Sequence, residues 1–315
     1  MKKELYSEKG NWYRINLHAH TTHSDGKLTP EQVKALYAEK GYDGVAFTDH
    51  RKLIPHTDMT DERFLALTAT ELDFSLTDAK GNLLKAVHLN AISPDPERRC
   101  QFEKYPFDLE LAAQVVARLK EEGYFVILNH PVWSNMTNAE VEAIRGIDAM
   151  EIYNTISVVF NNYSDDSAHY ENFLRGGGRA LPIAADDCHR VWEDGTPFVE
   201  YAKSCVMVKS EALEYGSIFS ALSRGQLYAT TGPQIHGLSL EGDVLTVSCS
   251  PAFGVYVHSV SLGVKAQAVA RDGESLTEVS LDLSALRACS PYFWVQIRDA
   301  QGEKAWTVPF YFNEL

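Results

Sequence analysis

Between residues 18 and 26 the chain reads HAHTTHSDG, which crowds His18, His20, His23 and Asp25 into one short stretch. On an extended segment His18 and His20 are two apart and project to the same side, so both rings can reach one ion. Further on, TDH carries Asp49 and His50, TEL carries Glu71, VHL carries His88, NHP carries His130, and DDCH carries Asp187 and His189. Each of these sits at or near the end of an apolar run. Six such histidines with Asp25, Glu71 and Asp187 around one mouth would repel or dehydrate one another unless cations sat among them. A multinuclear metal site makes sense of the set. Cys100, Cys188, Cys205, Cys249 and Cys289 are scattered, with no CxxC pair, which argues against a disulfide framework and a thiolate zinc site. Nitrogen and oxygen ligands suit zinc, manganese or iron.

The elements that would hold these residues alternate in type. From about Tyr13 to Val208 short apolar runs alternate with helical segments, the pattern of a parallel sheet or barrel with crossover helices. YRINLH and GVAFTDH read as strands, as do FLALTATEL, AVHLNAI, YFVILNH, AMEIYN and ALPIAADD. Between the first two, Thr29, Pro30 and Gln32 supply an N-cap, an N1 proline and a capping-box glutamine, and Gly41 ends the helix. Further helices are expected at about 109–122, 139–145, 166–174 and 212–223. The chemically interesting residues fall at the C-terminal ends of the strands, where α/β folds assemble active sites. After LYATTGP the texture changes to period-two alternation, which predicts a small all-β domain over residues 233–315 behind a domain of residues 1–232.

Composition narrows the partners. In 315 residues, 45% hydrophobic, 43 acidic side chains outweigh 29 basic ones to give a formal charge of -14, and no basic run offers a phosphate-backbone contact surface. Nucleic acid is not expected as a partner. The polar N-terminus has no apolar stretch of signal-peptide length and no later segment approaches a membrane span, so a cytoplasmic protein with no membrane partner is expected. A homo-oligomer is compatible with the sequence.

HAHTTHSDG, TDH, TEL, VHL, NHP and DDCH, in that order, resemble the successive motifs of the PHP (polymerase and histidinol phosphatase) family of the amidohydrolase superfamily. The resemblance implies a distorted (β/α)7 barrel with two to three divalent metal ions at the C-terminal ends of its strands. It further implies that His18, His20, Glu71 and Asp187 hold one ion, that Glu71 bridges to a second held by His88 and His130, and that Asp25, His50 and His189 hold a third. LYATTGPQI, CSPAFGVYVHS and AWTVPFYF resemble the β-rich end of a PHP subgroup that includes carbaryl-hydrolase-like metallohydrolases.

Three dications against three carboxylates would leave a positive surplus suited to phosphate, with a metal-bound hydroxide as nucleophile. The expected activity is therefore hydrolysis of a small phosphorylated metabolite, a phosphomonoester or nucleotide. Arg51 and Arg190 are candidates for clamping the phosphate, and His23 for protonating the leaving group. Asp49 is expected to orient a ligand histidine, and Trp133 and Asn154 are candidates for the pocket wall. His56, His169, His236 and His258 read as ordinary surface or packing residues. The glycines of RGGGR at residues 175–179 precede a strand and lack a P-loop lysine, so they are not read as a phosphate loop. Two other readings compete: a carbamate or carboxylic ester hydrolase on the same metals, and a metal-binding module without turnover, whose sequence mark would be a lost ligand.

Overall fold

The computed structural model describes residues 2–192 and 199–315. Their architecture is mixed α/β around one large sheet. Asn11–Ala19, Gly44–Phe47 and Leu65–Thr77 lie side by side in parallel, and so do Phe125–Leu128, Ala149–Asn154 and Leu181–Ala185. GVAF and FVIL are buried at every position, as expected of strands covered on both faces. The capping box forms: Thr29 accepts from the backbone of Gln32, whose side chain answers back, at the start of the helix Pro30–Glu39. Asp108 likewise caps the helix Leu109–Glu121, which buries Ala112, Val115, Val116 and Leu119. Among the described residues no helix is long and apolar enough to cross a membrane.

The sheet departs from an all-parallel order at one place that matters for the site. Leu83–Ile92 runs antiparallel between Leu65–Thr77 and Phe125–Leu128. The connection is residues 78–82, too short for a parallel crossover, which takes a dozen residues or more. Asp78 closes it by accepting from the backbone of Lys80 and Asn82 and from the Asn82 side chain, and Gly81 takes a positive φ of 84°. In the resulting hairpin Asp73 faces His88 and Glu71 faces Asn90. Glu71 and His88 therefore stand within long strands, and not at strand ends as expected.

The last and first of these strands also meet. Beyond Leu181–Ala185, Asp187 N donates to His18 O at 3.0 Å, His20 N donates to Cys188 O at 2.9 Å, and Ala19 bridges Cys188 in the parallel sense. On that same edge, away from Gly44–Phe47, the earlier part of Asn11–Ala19 pairs antiparallel with Cys205–Ser210, and the sheet continues through Leu227–Thr230, Lys304–Thr307, Tyr292–Arg298 and Gly254–His258. The strand-rich tail thus shares a sheet with the preceding part of the chain. Leu227–Thr230 is buried throughout and needs a partner on each edge, which Cys205–Ser210 and Lys304–Thr307 supply. The N-terminal Lys2–Glu4 joins the tail too, pairing with Ile235–Glu241 in a second, four-stranded sheet. One short helix, Ser284–Arg287, interrupts the strands beyond residue 233.

A buried carboxylate ties the strand exit to the rest. Asp186 accepts from the backbone N–H groups of Ala202 (2.7 Å), Lys203 (3.1 Å) and Ser204 (2.9 Å), from Thr155 Oγ1 (2.8 Å) and from the Tyr37 hydroxyl (3.0 Å). Asp186→Ala would strand these buried donors, so urea unfolding should show a loss of about 3 kcal/mol or more. A wild-type midpoint in that variant would contradict this role.

Candidate metal centre

Three residues that hold the site's backbone in place adopt left-handed conformations rare outside glycine: Arg51 (φ 59°), His130 (φ 28°) and Asp187 (φ 57°). Each is held there by its own N–H. Arg51 N donates to Glu71 O at 2.7 Å, His130 N to Glu151 Oε2 at 2.9 Å, and Asp187 N to His18 O at 3.0 Å. The strand ends are bent inward by bonds to neighbouring site elements.

Glu71 lies at the centre of the cluster. Its Oε1 is 3.0 Å from His88 Nδ1, 3.4 Å from His18 Nε2 and 3.4 Å from His130 Nε2. Its Oε2 is 3.2 Å from His20 Nε2 and 3.3 Å from His50 Nδ1. Asp187 Oδ1 stands 3.2 Å from both His18 Nε2 and His20 Nε2. At the more exposed side Asp25 lies 3.6 Å from ring nitrogens of His20, His50 and His189.

A second layer aims the rings. His18 Nδ1 donates to Glu151 Oε1 at 2.7 Å, His189 Nδ1 to the Asp187 carbonyl at 2.8 Å, and His130 Nδ1 is 3.1 Å from Ser134 Oγ. With these nitrogens occupied, the Nε2 atoms of His18, His130 and His189 face the cluster carboxylates and can each offer a lone pair to an ion that displaces their protons. Asp73 takes the Nδ1 of His50 and the guanidinium of Arg51. Asn129 donates to Glu71 Oε1 at 2.7 Å, and Asn154 to Glu151 and Asp187. Asp49 does not touch a ligand ring; it accepts from Thr21 and Ser24 and so shapes the loop carrying Asp25.

The donor set fits cations. Nitrogen and oxygen ligands sharing one ion at bonds of about 2.1 Å sit roughly 3.0 to 3.4 Å apart, the spacing found around Glu71 and Asp187. Asp187 Oδ1 is buried and accepts no hydrogen bond. An ion among His18, His20 and Asp187 would satisfy it. Ligand atoms of His18, His20 and Asp187, of Glu71, His88 and His130, and of His20, Asp25, His50 and His189 each gather within 4.8 Å. These three groups contain all nine expected ligand positions, with His20 turning one nitrogen toward each of two groups. A fourth group, His18, His130 and Glu151, adds a buried carboxylate that the sequence reading did not single out.

Burial disfavours charge on Glu71, but the imidazoles of His88, His18, His50 and His130 outweigh it and hold the carboxyl well below its ordinary range. Burial is likewise outweighed at Asp187, which His18, His20 and His189 hold low. Burial alone would depress His20, yet Asp187 and Glu71 push it up to about 10; burial at His18 is overcome by Asp187, Glu71 and Glu151.

Beside the cluster opens a cleft of about 490 Å³, whose lining includes Asp25, His50 and His88 together with Arg51, Lys52, Lys104, Leu83 and Trp133. Arg51 is thus at the cleft. Trp133 packs against His88 and His130, with ring centroids 5.6 and 5.0 Å away. Arg190 and His23 do not line the cleft. Arg190 lies over Trp192, 4.7 Å from its ring, with its Nε 3.7 Å from Glu200; His23 is exposed and stacks on His56. His56 is buried against Phe47, His258 stacks on Trp294, His169 bonds Asn138, and His236 is exposed. A larger cavity of about 630 Å³ lies elsewhere, lined by Lys3, Asp148, Arg179 and Arg224 among others, and holds none of the clustered histidines.

No protein-family profile and no curated protein matches the chain. Among the solved structures that the chain is similar to are three from bacteria. One is a two-domain protein from Bacteroides vulgatus containing a predicted PHP-like metal-dependent phosphoesterase, at 12% identity over 98% of this chain and 97% of that one, with a TM-score of 0.49. A second, from Bifidobacterium adolescentis, is assigned as a metal-dependent phosphoesterase, at 15% identity over 62% and 91%, TM-score 0.43. A third is an amidohydrolase from Chromobacterium violaceum with sulfate bound and no metal, at 16% identity over 57% and 89%, TM-score 0.41.

With His18 and His20 raised by their carboxylate neighbours, the metal-free cluster holds protons that an ion must displace. Affinity for Zn²⁺ or Mn²⁺ should therefore rise as pH rises from about 6 to about 9, with protons released on binding. Calorimetry in buffers of different ionisation enthalpy measures both, and pH-independent affinity without proton release would contradict the assignment. Glu71→Gln, which sets a neutral amide among five imidazoles, should cut bound metal per chain by elemental analysis; unchanged stoichiometry would show that Glu71 does not bridge.

Proposed function

We propose that this protein is a PHP-type metal-dependent hydrolase that cleaves a small phosphorylated metabolite, using two to three divalent transition-metal ions. The observation that carries the reading is the ring of five histidines around buried Glu71, with Asp187 Oδ1 beside it accepting no hydrogen bond and a cationic cleft adjoining. His18, His20, Glu71 and Asp187 would hold one ion, Glu71, His88 and His130 a second, and Asp25, His50 and His189 a third. Such ions would supply Lewis acidity toward water and a phosphoryl group.

The chain's own residues do the remaining work. Arg51, one guanidinium nitrogen fixed by Asp73, presents its other donors at the cleft for a phosphate oxygen. Trp133 packs its ring against His88 and His130 and forms part of the cleft wall. Of the three residues considered for substrate chemistry, Arg51 has the best support; Arg190 and His23 would have to reach the substrate from outside the cleft lining.

The choice of phosphate over a carbamate or carboxylic ester rests on the cleft. Glu151 and Asp73 add two carboxylates near the ligands, so the positive surplus expected at the ions is smaller than the nine ligands alone suggest. Arg51, Lys52 and Lys104 restore it where the substrate would lie. A neutral carbamate, as in the carbaryl-hydrolase-like subgroup that the tail resembles, has less use for those cations. We read the seven strands as a distorted barrel, supported by the bridge from Ala19 to Cys188, with residues 233–315 as a β-rich second domain. Small-molecule turnover in the cytoplasm, without a nucleic-acid partner, suits the net charge of -14. A homo-oligomer stays compatible with this reading, as does a role for the tail in shaping the entrance.

Metal-loaded protein should hydrolyse at least one member of a panel of phosphomonoesters and phosphodiesters faster than aryl esters or carbamates. Turnover of aryl esters or carbamates with no phosphoester cleaved would overturn the reading in favour of the ester hydrolase; no turnover at all by fully loaded protein would favour a metal-binding module. Arg51→Ala should lower kcat/KM for phosphomonoesters by about tenfold to a hundredfold with metal content intact, the loss of a charge-assisted hydrogen bond. An equal loss on aryl esters would show that Arg51 acts through His50 and Asp73 and not on phosphate.

A further inference from the structure

The cleft is larger than a phosphate needs, and three cationic side chains line it. Lys52–Leu53 pairs antiparallel with Cys100–Gln101, and Phe102 N donates to Arg51 O at 2.8 Å. Tyr105–Pro106 then pairs with Phe74–Ser75, so the backbone of Lys104 is fixed on both sides. This ribbon carries Arg51, Lys52 and Lys104 to one cleft. The carboxylates that also line it are engaged: Asp73 by His50 and Arg51, Asp25 among His20, His50 and His189. Lys52 gives its ammonium to the His23 carbonyl, a neutral acceptor. The Lys104 ammonium has no hydrogen-bond or ion-pair partner among the described residues. Two lysines with no carboxylate partner among the described residues thus line one cleft in a chain of net charge -14, which makes it a local attractor for an anion.

We propose that Lys52 and Lys104 form a subsite for a second anionic group on the substrate, a carboxylate or a further phosphate, apart from the group cleaved at the metal cluster. The inference rests on the hydrolase reading for the position of the first anion, with Leu83 and Trp133 lining the same cleft as apolar wall for the organic part. The substrate class is therefore a doubly anionic metabolite, and Lys104 is a specificity-determining residue. A ligand of that kind matches a cleft of about 490 Å³ with mixed apolar and charged walls.

Calorimetry on metal-loaded protein tests this without turnover, with phenylphosphonate, 4-phosphonobenzoate and 1,4-phenylenebisphosphonate as probes. The doubly anionic probes should bind at least about tenfold tighter than phenylphosphonate, and the ratio between them tells carboxylate from phosphate. In Lys104→Met the preference for a second anion should fall to within about twofold, with the circular dichroism spectrum and metal content as controls on folding. Lys52→Met should erode the same preference. Equal affinity for singly and doubly anionic probes, or a preference that survives in both variants, overturns the subsite. A preference lost in both variants supports it even if no phosphoester is cleaved, in which case the proposed reaction fails and the anion site stands. Phosphoester turnover with no such preference sinks the subsite alone.

Discussion

Five imidazoles converge on one buried carboxylate, and much of the structure exists to make that tolerable. Glu71 is about 1% exposed, and the rings around it are buried or nearly so. Without ions the cluster survives only by sharing protons between histidines and carboxylates. Divalent cations neutralise the carboxylates and take up the lone pairs together, which protons do less well, because a proton serves one pair of atoms and an ion serves four or more. That constraint explains why Glu151, Ser134 and the Asp187 carbonyl each occupy a ring nitrogen turned away from the cluster, and why Asp73 takes His50 Nδ1 while its Nε2 faces Asp25. A ring free to turn would present N–H where a lone pair is needed.

The fold meets the constraint by overshooting a strand. Leu65–Thr77 runs past the ends of its parallel neighbours and turns back as a hairpin, which puts Glu71 and His88 level with the loops that carry His50 and His130. The parallel strands on either side deliver their residues at their ends, through left-handed turns at Arg51, His130 and Asp187. Those turns cost about 1 to 2 kcal/mol each, and the surrounding hydrogen bonds over-determine them. The same hairpin supplies Ser75, Thr77 and Leu83 to the cleft, so one element links the cluster to the surface where substrate would be recognised.

Much of this was legible in the residues. Ligand residues come in short motifs because a strand end can place only one or two side chains at the mouth, and the period-two spacing of His18 and His20 follows from extended backbone. Glu151 and Asp73 went unread because each is a single carboxylate inside an apolar strand, with no companion to mark it; the signal was there in AMEI and ELDF, where an acid interrupts residues that are otherwise buried. The antiparallel course of Leu83–Ile92 was readable from the short DAKGN link, whose length excludes a crossover, but periodicity alone does not carry direction. Lys52 and Lys104 lie far apart in sequence, and only the pairing of Lys52–Leu53 with Cys100–Gln101 brings them to one cleft. The alternation of the tail correctly marks strands and says nothing about which sheet they join.

Anomalous diffraction from crystals grown with Mn²⁺ or Zn²⁺, with data on both sides of the metal edge, tests the central claim most directly. The account predicts at least two peaks: one among His18, His20 and Asp187, and one beside Glu71 among His88 and His130, with Glu71 contacting both. A map with no peak inside the histidine ring at saturating metal, or with Glu71 contacting none of the ions found, would contradict it.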